Sequence, residues 1–171
     1  MGRASRMKKE RKLEKKTIRL WHYTTDQHLA KITRSGVIKP TSILIGENEK
    51  PAAWFSTNSD WERTVSKRVD LGDGQVSEPL QRDDMPKYNL TPIRIEIDAS
   101  KVKAVDWKTF KRVSGIPYES AKWLEKAGLD EGANPDEWYA VFESVTVDKW
   151  ISIDLWNGVE WIPYMLGEKN G

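Results

Sequence analysis

The sequence predicts an α+β fold, and three observations carry that prediction. Strand and helix patterns alternate through the first half. Residues 91–98 alternate apolar and polar side chains. The last third is a run of strand patterns containing Asn157-Gly158, the strongest short-range hairpin signal.

Residues 17–23 (TIRLWHY) are β-branched and aromatic and read as the first strand. Thr24 and Gln27 then have capping-box spacing, opening a helix that ends near Ser35, with Gly36 suited to the left-handed position after its last turn. Val37 and Ile38 read as extended. Residues 41–51 form a polar loop, and residues 52–57 (AAWFST) make the next strand. Ser59 and Glu62 repeat the capping-box spacing and predict a helix to about Val69. Residues 70–90 hold Asp, Gly and Pro without periodicity, the pattern of a functional flap or a disordered loop.

In residues 91–98, Ile93, Ile95 and Ile97 alternate with Arg94 and Glu96, a half-buried strand. Residues 107–113 read as a short helix. A second helix starts at Pro117, runs to Ala127 and closes at Gly128. Residues 138–145, 151–156 and 159–164 read as three further strands. On the first of these, Tyr139, Val141 and Glu143 share one face.

Composition narrows the chemistry. Of the 171 residues, 38% are hydrophobic and 32% charged, enough for one domain with its own core. Cysteine is absent, which rules out disulfides, zinc ribbons, iron–sulfur clusters and thiol nucleophiles, and which fits a reducing cytosol. Residues 1–16 carry eight Lys or Arg against two Glu, a balance of +6, so the remaining chain carries −4 against the whole-chain +2. The expected division is a basic, disordered tail at 1–16 and a single domain at 17–171. A mildly acidic body argues against a nucleic-acid-binding domain. With no apolar run of transmembrane length, no membrane partner is expected, and the expected location is cytoplasmic. There is no GxGxxG after a strand and no P-loop, and the two His have no zinc-site spacing, so no metal is expected. The nine Trp are too many for one site, and most are expected to pack in the core.

What remains is a set of strand ends. His22-Tyr23-Thr24 closes the first strand, Trp54-Phe55-Ser56 the second, and Glu143 lies late in the strand at 138–145. Taken singly, Glu143 reads as an exposed strand carboxylate. His22 reads as a semi-buried structural imidazole, and Ser56 as a hydroxyl capping a turn.

Taken together, the order resembles the ADP-ribosyltransferase superfamily. The residues that carry the likeness are Leu20-Trp21-His22-Tyr23-Thr24-Thr25, then Ile32 with Ser35-Gly36-Val37-Ile38-Lys39-Pro40, then Ala53-Trp54-Phe55-Ser56-Thr57-Asn58. They are similar to the front half of small bacterial and phage-type members. The likeness covers residues 18–62, about a quarter of the chain. It implies a split antiparallel β-sheet core with short flanking helices. It also implies NAD as substrate, a toxin or phage effector working in a bacterial or infected-host cytosol, and transfer of ADP-ribose to a macromolecular acceptor, protein rather than nucleic acid.

Further roles follow from the resemblance. Glu143 would stabilise the oxocarbenium-like transition state at the nicotinamide ribose. His22, supported by Tyr23 and Thr24, would hold a ribose hydroxyl. Ser56 would position the nicotinamide side, and Tyr23, Trp54 or Phe55 would stack on nicotinamide. Val141 stands where protein-modifying transferases often carry a second Glu or Gln, which argues against arginine as acceptor. Glu137 and Glu160 are the fallback carboxylates. The alternative is a non-enzymatic protein-binding module of the same fold that inhibits or sequesters a partner.

Overall fold

The computed structural model describes residues 18–41 and 46–164. The expectation of a disordered tail at 1–16 lies outside the described residues.

Mixed α and β structure is present, as the patterns imply. β1 (Arg19–Thr25) leads into α1 (Asp26–Ser35), β2 (Val37–Ile38) and β3 (Ala53–Ser56). β4 (Asp70–Gly72) and β5 (Gln75–Val76) form a small hairpin, and β6 (Pro92–Asp98) and β7 (Ala104–Asp106) follow. Two helices come next, α2 (Trp107–Val113) and α3 (Tyr118–Asp130). The described chain finishes with β8 (Trp138–Val141), β9 (Val145–Thr146), β10 (Trp150–Trp156) and β11 (Trp161–Pro163). Seven strands make one sheet in the order β11-β10-β6-β1-β3-β8-β7, with every neighbouring pair antiparallel. β2 and β9 form a separate antiparallel ribbon.

The alternation in β6 sets the main core. Ile93, Ile95 and Ile97 are almost wholly buried, and they meet Leu20, Phe55, Val141, Ile153 and, from α1, Leu29. Burying an isoleucine of this kind contributes roughly 1.5–3 kcal/mol. Arg94 and Glu96 point to the other face, where Arg94 pairs with Asp154 at 2.8 Å and Arg19 with Glu96 at 2.8 Å. That second face carries two clusters. Trp107 and Phe110 of α2 pack on Trp138 and Ala140, and the segment 57–90 lays Trp61, Leu80, Met85 and Leu90 over Tyr23.

Several local expectations fail for identifiable reasons. The capping box at Thr24 and Gln27 does not form. β1 runs to Thr25, which is the N-cap and makes no side-chain cap bond, while Asp26 pairs both its N–H and its carboxylate with Thr91. No helix follows Ser59. The Asn58 side chain accepts the N–H groups of Asp60 and Trp61, and the Glu62 carboxylate is buried against Thr64 and Trp138, so the side chains that would open a helix are engaged elsewhere. Residues 70–90, expected to lack regular structure, carry the β4–β5 hairpin and contribute buried Leu80, Met85 and Leu90 to the cover of the sheet. Gly128 lies inside α3 rather than at its end, because the Trp138 ring presses on that point of the helix. The strand expected at 138–145 breaks after Val141. Residues 142–144 turn away, and the chain resumes as β9 beside β2.

Other signals hold. Gly36 is left-handed at φ +67° and its N–H caps the Ile32 carbonyl. In the last hairpin, the Asn157 side chain accepts the N–H groups of Val159 and Glu160 while Gly158 sits at φ +97°. Among the described residues, no helix is long and apolar enough to cross a membrane.

Candidate functional site

The seven-stranded sheet has a weak seam. β1 pairs with β6 along its whole length, from Arg19 opposite Asp98 to Thr25 opposite Pro92. Across its other edge it shares one registered pair with β3, Trp21 opposite Ser56. Just past that pair, a side chain does what a backbone ladder would do: the Nδ1–H of His22 donates to the Trp54 carbonyl at 2.9 Å. The two clusters on the second face lie on either side of this seam.

His22 is half-buried, with its ring 5.6 Å from that of Phe55. Burial lowers its pKa below the usual histidine value; the bond to the Trp54 carbonyl opposes the shift, and the charge on Lys67 adds to it. With Nδ1–H committed to a carbonyl, the neutral ring presents Nε2 as an acceptor.

The structure disperses the other residues of the expected constellation. Tyr23 is buried, donates its hydroxyl to the Asn58 carbonyl and meets Trp61 edge to face at 5.1 Å. Burial pushes its pKa well above the usual tyrosine value. Thr24 is buried beside it. Trp54 joins the α2 aromatic cluster, 4.6 Å from Phe110, and Phe55 belongs to the main core. Ser56 is fully buried, and its hydroxyl accepts the Asn58 N–H, a turn-closing role. Because Trp21 is opposite Ser56 while His22 meets Phe55, His22 and Ser56 lie on opposite faces of the sheet. Glu143 is not on a strand: it stands exposed in the bend after β8. Its place on the sheet edge follows from register. Val141 is opposite Ala53 and β3 runs antiparallel to β1, so β8 ends on the edge where β1 ends, two strands or about 10 Å along.

A cavity opens at that end of β1. It measures about 440 Å³ and is lined by Thr25, Gln27 and His28 from the β1–α1 junction, by Lys67, Arg68, Val69 and Asp70, and by Tyr88 and Leu90. Lys67 is held in place by backbone pairing with Leu80, and Arg68 donates to the Ser77 carbonyl at 2.9 Å. Lys67 lowers the pKa of both imidazoles: at His28, burial comes first, then Lys67, then Lys31. A cavity of this size suits a small ligand, and its charged lining suits an anion.

Sequence reasoning missed this cavity. Thr25 sits in the quoted N-terminal pattern and His28 three residues beyond it, but Lys67 and Arg68 fall in a segment read as a helix, with no local signal linking them to β1. Among the described residues, no group of three or more His, Asp or Glu could hold a metal ion. No protein-family model, curated protein or solved structure matches the chain.

Proposed function

We propose that the chain is an NAD-dependent ADP-ribosyltransferase acting at the seam between β1 and β3. The observation that carries this reading is the seam itself: an antiparallel sheet joined at this point by one registered pair and by the His22 side chain on the Trp54 carbonyl. A split sheet with His on its first strand is the arrangement implied by the resemblance of residues 18–62, although β1 continues to Thr25 and so places His22 in mid-strand, opposite Ile95, rather than at the expected strand end.

The chemistry needs little from the protein. Nicotinamide leaves as a neutral molecule, so the barrier lies in the positive charge that develops on the ribose. A carboxylate near that charge lowers it, and this reading assigns the role to Glu143. His22, neutral because of burial, accepts a ribose hydroxyl at Nε2 and orients the sugar. Tyr23 and Ser56 act through structure, holding Asn58 on either side of its backbone.

Nicotinamide release from NAD tests the proposal. Release by the wild-type chain, with a loss of at least tenfold in His22→Ala and an unchanged fold, is the expected result; tenfold corresponds to about 1.4 kcal/mol of transition-state stabilisation. No release above the uncatalysed rate overturns it.

One observation favours the second reading, a protein-binding module. Three large apolar side chains of α3, Tyr118, Trp123 and Leu129, are each more than half exposed. Partner capture lost in Trp123→Ser, in a chain that leaves NAD intact, would support that reading instead.

A further inference from the structure

The cavity at the end of β1 has features that the transferase reading does not use. Thr25 is 2% exposed, yet its hydroxyl makes no cap bond and lines the cavity. Among the described residues Trp156 Nε1 is the one fully buried side-chain polar atom without a partner; the Thr25 hydroxyl makes no bond to a protein group and, not being fully enclosed, is open to a ligand in the cavity. The same residue is the N-cap of the ten-residue α1. Because it does not cap, and because Asp26 turns its N–H and carboxylate toward Thr91, the first-turn N–H groups of Gln27 and His28, both residues of the cavity lining, are capped by no side chain. Lys67 also lines the cavity, with no carboxylate in salt-bridge range among the described residues, and Arg68 follows it on the lining. Asp70 is the carboxylate on the lining, and its Oδ1 is turned to the Gly72 N–H at 2.8 Å.

We infer that this cavity is a binding site for a diphosphate group, held by the Thr25 hydroxyl, the first-turn N–H groups of α1 and the cations of Lys67 and Arg68. Each part supplies what such an anion needs. The hydroxyl and N–H groups give directed donors, the helix N-terminus gives a positive potential, and the two cations balance the charge. The shape agrees, since about 440 Å³ exceeds what a bare diphosphate fills and leaves room for an organic arm against Tyr88 at the rim. The positive potential is felt both on the lining and beyond it, since Lys67 lowers the pKa of His28 in the cavity and of His22 outside it.

Calorimetric titration of the full chain with inorganic diphosphate and with ADP, in the absence of NAD, tests the inference. Both ligands should bind, and binding of both should weaken as sodium chloride is added. Lys67→Met should weaken both at least tenfold. Thr25→Val should weaken both severalfold while leaving the melting temperature at or above that of the wild type, because it removes a hydroxyl that no protein group satisfies. Absence of diphosphate binding at millimolar concentration overturns the inference. So does equal affinity in Lys67→Met, and so does ADP binding without diphosphate binding, which would place recognition on the nucleoside. The readout is independent of nicotinamide release, so failure here and failure of the transferase reading are distinguishable.

Discussion

The indole of Trp138 lies across Gly128 of α3, so close that a Cβ added to the glycine would stand 2.6 Å from Cζ2 and Cη2 of the ring. The ring has nowhere to retreat. It is buried, it meets Trp107 edge to face at 5.3 Å, and its Nε1–H donates to Glu62 at 3.2 Å. Gly128→Ala would gain about 1 kcal/mol of helix propensity, but forcing this contact apart costs about 1–3 kcal/mol or more. A net loss of stability is expected in urea unfolding. A stabilised variant would mean that α3 can shift away from β8.

The partner of that indole supports a second prediction. Glu62 is 5% exposed, and its Oε1 accepts three bonds, from Trp138 Nε1, the Thr64 N–H and the Thr64 hydroxyl. Glu62→Gln keeps a carbonyl oxygen for these donors and should cost no more than about 1 kcal/mol. Glu62→Ala leaves the indole N–H buried without an acceptor and should cost about 1–3 kcal/mol beyond the lost packing. Equal unfolding midpoints for the two variants would show that the bond contributes nothing.

These contacts also show where sequence reading succeeds and where it stops. The alternation of Ile93, Ile95 and Ile97 is a local pattern, and so are Gly36 after α1 and Asn157-Gly158 in the hairpin; each is legible because the physics acts within a few residues. The false helix after Ser59 is the opposite case. Its capping-box spacing is real, but Glu62 is drawn to a tryptophan 76 positions away, and tertiary bonding overrides the local preference. Gly128 has the sequence signature of a helix stop, and nothing in its neighbourhood announces Trp138. The same limit applies to the site. His22 is legible as an imidazole on the first strand, but not its mid-strand position, because β1 runs on to Thr25; Lys67 reaches the end of β1 only through its pairing with Leu80, a contact without sequence periodicity.

Acid should act on the fold first through histidine. The pKa of His22 is lowered from the usual 6.5 by burial, and His28 shifts in the same direction. The unfolded chain therefore binds protons before the folded one does. The stability contributed by the neutral rings is present above about 6.5 and is lost as the pH falls below it, with a slope of up to about 1.4 kcal/mol per pH unit from His22 and a smaller one from His28, which is exposed and screened by solvent. Asp98, Asp106 and Asp148 have pKa values held below 3.8, chiefly by hydrogen bonds from Ser100, Thr109 and Lys149, so their contribution is lost only in more acidic solution. His22→Gln should flatten the profile between neutral pH and about pH 5. An unchanged slope in that variant would assign the effect elsewhere.

Glu143 gives the sharpest separation between a bystander and a participant. It is exposed in the bend between β8 and β9, so Glu143→Gln should change stability by no more than about 0.5 kcal/mol. Its proposed role depends on charge alone. Glutamine keeps the size of the side chain and one hydrogen-bonding oxygen, and so should preserve NAD affinity. It removes the negative charge that faces the oxocarbenium ion, a species present only in the transition state. Nicotinamide release should therefore fall at least a hundredfold, about 2.7 kcal/mol, with little change in KM. An unchanged rate in a chain that does turn over NAD would remove Glu143 from the reaction and leave Glu137 and Glu160. Those two separate on position: Glu137 accepts the Asn58 side-chain amide at 3.1 Å, directly before β8, whereas Glu160 stands exposed in the last hairpin, four strands from β3. Glu137→Gln would then be the next variant, and its loss of activity would move the carboxylate from the edge where β1 ends to the edge where β1 begins.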